Sequence, residues 1–203
     1  MKCTCAIVMA ALAIATSAAA EPAAAPASSA PAYDADGRLL PPPDYREWIF
    51  LSSGLDMSYR ARGGDDSMHM FDNVFVKPEA YRAFQDTGTW PDKTVLVTEV
   101  RGARSKGSIN KRGQFQTTEV MGMELHVKDT ARFAGGWAFF AGDGNGPAAQ
   151  IPFQAECYSC HREHGAVDTT FVQFYPTLLP LAEKKGTLSA AYLKDKDGAE
   201  TGK

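Results

Sequence analysis

Apolar and polar side chains alternate along much of the middle of the chain. Thr94, Leu96, Thr98 and Val100 fall on one face of an extended segment, and Val95, Val97, Glu99 and Arg101 on the other. A period of two over eight residues predicts a β-strand. Met70–Val76 reads the same way, with Val74 and Val76 sharing a face. Phe115–Lys128 predicts a longer strand in which Leu125 and Val127 alternate with Glu124, His126 and Lys128, and Gly122 marks a bulge. Trp137–Ala141 is a further strand. Helical signals are fewer. Asp44 caps a short helix over Tyr45–Leu51. Pro78 opens a helix through Glu79, Tyr81 and Phe84 that Gly88 closes. Thr177 caps a last helix through Leu178, Leu179 and Leu181, with Pro180 in its first turn and Gly186 as its stop. Loops are predicted at Gly54, at Gly63–Asp66, at Trp90–Lys93, over the glycine-punctuated stretch Gly102–Gly113 and at Gly142–Pro147. The aromatic stretch Phe171–Tyr175 is compact. The expected fold class is α+β, mainly antiparallel β-sheet with a few short helices.

The ends of the chain behave differently. Lys2, the apolar run Ala6–Thr16 and the small residues Ala18–Ala20 have the form of a secretory signal over residues 1–20. Its apolar run is too short to span a bilayer. Residues 21–43 are rich in Ala, Pro and Ser and are expected to be a flexible linker, drawn out at its end by Pro41–Pro43. One folded domain follows over residues 44–193, and the charged residues 194–203 are expected to fray. Losing Lys2 with the signal makes the mature chain one unit more acidic than the net −3 of the whole. That mild acidity gives no reason to expect nucleic acid as a partner, and no membrane span is expected in the mature chain.

The chemistry is concentrated in Cys157-Tyr158-Ser159-Cys160-His161. Two thiols three positions apart can each add to a vinyl group of a haem, and the next histidine can bind the iron as a neutral imidazole. A redox disulfide or half of a zinc site are the competing readings. Zinc needs further thiol or imidazole ligands, yet the other two cysteines, Cys3 and Cys5, lie in the signal segment. A thioredoxin-like motif needs an early βαβ context, whereas this one comes late. Covalent haem attachment takes place outside the cytoplasm, so the export signal and the motif agree on a periplasmic haem c protein with Cys157, Cys160 and His161 as cofactor-binding residues and His161 as the metal ligand.

Around this motif the chain resembles the cytochrome P460 family, which includes the sheet-rich cytochromes c′ of the beta type. The resemblance runs from about Asp44 to Leu181. It is carried by Asp44–Trp48, Val74–Tyr81, Thr87–Asp92, Thr94–Glu99, Val127–Asp129 with Arg132-Phe133, Gly136–Phe139, the CxxCH motif and Phe174–Pro176. It implies a homodimer with one covalent haem per chain. It also implies iron held by His161 and open on its other side to a small gaseous or nitrogen-oxide ligand such as nitric oxide, and a redox partner protein is a further expectation. In the P460 enzymes the iron oxidises hydroxylamine, and a lysine is bonded to the porphyrin edge. Here the matching position is Thr98, while Lys93, Lys106 and Lys111 are near only in sequence. The acid associated with that chemistry would fall near Ile151-Pro152-Phe153, where Glu156 is the only carboxylate.

Three functions remain in play. A gas-binding protein would wall its open side with apolar groups, for which Phe71, Phe75, Phe84, Phe139 and Phe153 are candidates. A hydroxylamine-oxidising enzyme would need a base, for which Glu99, Glu119 and Glu124 are candidates. An electron-transfer cytochrome would close the iron with His69, His126 or His164, or with Met68, Met70, Met121 or Met123. His69 is the best placed of these, since Met68-His69-Met70 adjoins a strand.

Overall fold

The computed structural model describes residues 30–57 and 69–201. Six strands form one sheet in which every strand pairs antiparallel with its neighbour in sequence: β1 (Ile49–Leu55), β2 (Met70–Val76), β3 (Val95–Arg104), β4 (Phe115–Lys128), β5 (Trp137–Gly142) and β6 (Ala149–Gln150). Among the described residues four helices accompany it: α1 (Pro78–Thr87), α2 (Glu156–His164), α3 (Leu179–Lys185) and α4 (Ala190–Thr201). Pro78 sits in the first turn of α1, and Gly88 ends it in the left-handed region at φ 78°. The bulge expected at Gly122 lies beside it. Val100 pairs with Gly122 but Arg101 with Val120, so the register slips across Met121.

Alternation divides the sheet into two faces with separate cores. Val97, Leu125 and Phe140 stand in register on one face, as do Val95, Val127 and Ala138. Tyr45, Trp48 and Leu39 cover them. On the other face Leu96, His126 and Phe139 stand in register, as do Val74, Thr98, Glu124 and Ala141. Phe84 and Trp90 pack in the core of this face with Leu96, Leu178 and Ala182. The polar members of this second face are therefore carried by the same strands that build the core.

Four local expectations change. Residues 33–43, assigned above to the linker, are packed: Leu39 is only 1% exposed and exchanges backbone hydrogen bonds of 3.0 and 2.8 Å with Ala148. The Asp34 carboxylate accepts the Asp36 and Arg38 N–H groups and fixes the turn before it. The helix expected over Tyr45–Leu51 is a single 3₁₀ turn, Tyr45–Glu47, without a side-chain cap from Asp44, because from Ile49 the backbone pairs with β2 instead. At the other end, residues 194–201 lie within α4 rather than fraying, and the Ser189 hydroxyl accepts the Tyr192 N–H at its start. Leu178, not Thr177, is the N-cap of α3, although Gly186 ends it as expected. The signal segment, residues 21–29 and Met68 lie outside the described residues. Among the described residues no helix is long and apolar enough to cross a membrane.

Candidate cofactor site

Helix α2 positions the motif. Glu156 lies in its first turn, where a carboxylate favours the helix dipole. Cys157, Cys160, His161 and His164 recur at three- and four-residue spacing, so they lie along one side. Cys157 is exposed and Cys160 half-buried, both as free thiols. Burial, with the neighbouring Cys157, Glu163 and Glu156 charges, pushes the Cys160 thiol up, so it is held protonated.

His161 points inward and is buried. Its ring lies against Phe171, at 4.1 Å between ring centres, Phe139 at 4.5 Å and His126 at 4.8 Å. Its Nδ1 is 2.8 Å from the Thr169 carbonyl oxygen. A carbonyl can only accept, so Nδ1 carries the proton and Nε2 the lone pair. Burial pulls the His161 pKa down, with the Thr169 bond opposing it, and the ring is neutral at pH 7. A neutral imidazole, oriented through one nitrogen with the other free to donate, is the form that binds a metal.

The remaining candidates scatter. His126 faces the site, but its ring centre is 4.8 Å from that of His161. Two imidazoles bound across one metal ion would have centres roughly 6 Å apart, from two metal–nitrogen bonds of about 2 Å each plus the ring radii. His126 is therefore a neighbour of His161 in this arrangement, kept neutral by burial and then by His161. His164 pairs with Asp195 at 2.9 Å and His69 with Asp56 at 2.5 Å, both partly exposed. Met123 is buried on the opposite face, Met121 is exposed, and Met70 is half-buried at the start of β2.

Of the five phenylalanines, Phe139 alone lies against His161, its ring tilted 42° to the imidazole. Phe84 belongs to the core with Trp90, Phe75 packs against Tyr45 and Phe50, and Phe71 shares the face of Phe75. Phe153 is 52% exposed and leans on Tyr158. Phe171 was visible in the sequence as part of an aromatic stretch, but nothing there linked it to His161.

The carboxylates also divide by face. Glu99 is buried on the side away from His161, bonded by Tyr45, Arg46 and Arg101. Glu119 and Glu156 are exposed. Glu124 does stand on the His126 face, two positions along β4, with Asp72 on the same face of β2. Glu124 is exposed, and partial desolvation by its surroundings raises its pKa. Desolvation, then the Glu124 and Asp56 charges, push Asp72 up to about 6. Asp72 escaped the sequence reading; its signal was one acid alternating with Met70, Val74 and Val76.

Thr98 lies between Val74 and Glu124 on this face, half-buried. Lys93 is bound to Asp129, and Lys106 and Lys111 are exposed in the β3–β4 connection. No group of three or more His, Cys, Asp or Glu that could hold a bare metal ion occurs among the described residues. Residues 42–172 match the family model described as Cytochrome P460. No curated protein matches the chain.

Proposed function

The chain belongs to the cytochrome P460 family of haem cytochromes, and on that premise we propose that it is an exported, periplasmic homodimer that holds one covalent haem c per chain through Cys157, Cys160 and His161. The iron side opposite His161 is open to a small uncharged ligand such as nitric oxide. The observation that carries this reading is the state of His161. Its Nδ1–H is committed to the Thr169 carbonyl, its ring is neutral, and Nε2 is left to donate.

The rest of the site fits the group. The two thiols stand one helical turn apart on the helix that presents His161, and they are not bonded to each other. A porphyrin brings its own equatorial nitrogens, so a single protein ligand suffices where a bare ion would need several. When bound, haem would supply an iron atom able to take a small ligand. Phe139 and Phe171 pack against the buried His161 ring, each tilted to it. Among the described histidines, His126 is too close to His161 to lie across an iron, His164 stands three residues beyond His161 on the same helix, and His69 is partly exposed just before β2. That placement favours an open position over the closed iron of an electron-transfer cytochrome.

A second reading, hydroxylamine oxidation, draws support from Asp72 and Glu124. Both stand on the His126 face with raised pKa values, as bases that work near neutral pH do. Thr98 at the position of the family's cross-linking lysine weighs against it, since a hydroxyl cannot form the amine bond.

The visible spectrum of the ferrous protein, with and without nitric oxide, separates these functions. A five-coordinate spectrum that shifts on adding nitric oxide is expected. A strongly red-shifted Soret band before addition would establish a lysine bond and the enzyme, and a six-coordinate spectrum indifferent to nitric oxide would leave electron transfer. Replacing Cys157 and Cys160 with alanine is expected to make the haem extractable by acidified solvent. Retention of covalent haem in that variant would refute the attachment.

A further inference from the structure

The carbonyl that holds His161 comes from an unusual turn. Val167 and Thr170 bridge each other, with N···O distances of 2.8 and 3.3 Å. The two residues between them, Asp168 and Thr169, both have positive φ, 51° and 61°. A two-residue turn of this mirror-image kind favours Gly, Asn and Asp. Asp168 suits it. Thr169 does not, because a β-branched side chain crowds its own backbone in the left-handed region. A strained residue persists where its surroundings over-determine it, and the surroundings here are specific.

Asp168 Oδ2 accepts the Trp90 backbone N–H at 3.1 Å and Lys128 Nζ at 2.9 Å. Lys128 Nζ also donates to the Trp90 carbonyl at 2.7 Å. On the other side of Thr169, the buried indole N–H of Trp90 donates to the Thr170 hydroxyl at 2.8 Å, which donates to the Val167 carbonyl at 2.6 Å. Both neighbours of Thr169 are thus tied to Trp90, leaving its carbonyl aimed at Nδ1 of His161.

Resting on the assignment of His161 as the iron ligand, we infer that Asp168 and Lys128 are positioning residues that lock the Val167–Thr170 turn onto His161 and so set how strongly its imidazole donates to iron. The physical link is the basicity of the ligand. A firm hydrogen bond from Nδ1–H to a fixed acceptor makes Nε2 a better donor, strengthens the iron–histidine bond and favours the ferric state. Loosening the turn reverses each effect.

The test uses the holoprotein and reads two properties other than activity: the iron–histidine stretching band of the ferrous protein by resonance Raman, and the midpoint potential. Asp168→Ala is expected to move the band to lower frequency and the potential upward. Lys128→Met moves both the same way by less. Asp168→Asn keeps an oxygen for the Trp90 N–H and tolerates positive φ, so it stays closer to the parent than Asp168→Ala. Band and potential unchanged in both Asp168→Ala and Lys128→Met overturn the inference. Should Asp168→Ala fail to give folded holoprotein, Lys128→Met decides alone: a band and potential unchanged in it overturn the inference. His161→Gly separates the two levels: loss of its band with flat Asp168 and Lys128 variants refutes only the positioning role, while a band that survives in His161→Gly refutes the ligand assignment.

Discussion

Gly165 joins α2 to the turn that holds His161, and a single methyl group there probes the geometry of the site. A Cβ built on Gly165 would lie 2.5 Å from the His161 carbonyl oxygen, and 2.7 and 2.9 Å from the carbonyl carbon and Cα of Thr169. Ordinary carbon contacts begin at about 3.5 Å, so the neighbours would have to retreat by close to 1 Å. They are backbone atoms, one fixed by the helix and the others by the turn, with no side chain free to swing away. Conformational preference is not the obstacle, since Gly165 has φ −68°. Gly165→Ala should therefore behave as overpacking at its upper end, about 3 kcal/mol. For a domain of this size that lowers the thermal midpoint by roughly 6–12 °C. Gly146 has nothing within 4 Å of its built Cβ and an ordinary φ, so Gly146→Ala is the matched control, expected within about 0.5 kcal/mol of the parent. Thermal melts of the three holoproteins at one scan rate make the comparison. A Gly165→Ala midpoint equal to that of Gly146→Ala would refute the close packing of the helix against the turn.

Further outcomes test the fold and its charges. Leu39→Ala removes a fully buried side chain from residues first assigned to a linker, and should cost about 2–5 kcal/mol by denaturant melts; a loss under about 0.5 kcal/mol would return those residues to the linker. Burial pushes the Glu99 carboxyl up, but hydrogen bonds from Arg101, Tyr45 and Arg46 outweigh it and hold the pKa below the ordinary range. Its stabilisation is present above the unfolded value and is lost as pH falls through the folded one, so Glu99→Gln should flatten the acid limb of the stability–pH curve below about pH 4.5 and cost about 3 kcal/mol at pH 7. Asp72 has the opposite sign. Its folded pKa of about 6 lies above the unfolded value, so its contribution is present in acid and lost as pH rises through 6. Asp72→Asn should raise stability at pH 7 by about 1 kcal/mol after allowance for solvent screening, and by nothing at about pH 3.5. Equal effects at both pH values would contradict the raised pKa.

Where one local signal decided the structure, the sequence was sufficient. β2 and β4 have the boundaries that alternation predicted, and Pro78 with Gly88 marked both ends of α1. The CxxCH motif was legible because its chemistry lies within five consecutive residues. Errors arose where a distant partner overrode local character. Tyr45–Leu51 contains good helix formers, yet β2 offered the backbone of Ile49–Leu55 a ladder. Residues 33–43 have a linker's composition, but Tyr33 and Leu39 anchor them to the core built on Val97, Leu125 and Phe140. The site's other parts were illegible for a similar reason. The acceptor of His161 is a backbone oxygen, which any residue could supply. The ties of Asp168 reach 78 residues to Trp90 and 40 to Lys128, so no window of sequence contains them.

The chain-order sheet has a consequence for how the molecule is made. Each strand finds its partner among residues just synthesised, and a meander of this kind has a low contact order for a β-protein. Loop-closure entropy is then lost in small steps, one hairpin at a time. The strands that present His126 and Phe139 precede the CxxCH helix in the chain, and the turn that holds His161 follows within ten residues. The platform can assemble before the helix that carries the cysteines is made, so the cofactor meets a formed surface rather than nucleating one. Far-ultraviolet circular dichroism of chain lacking haem should therefore retain its strand signal.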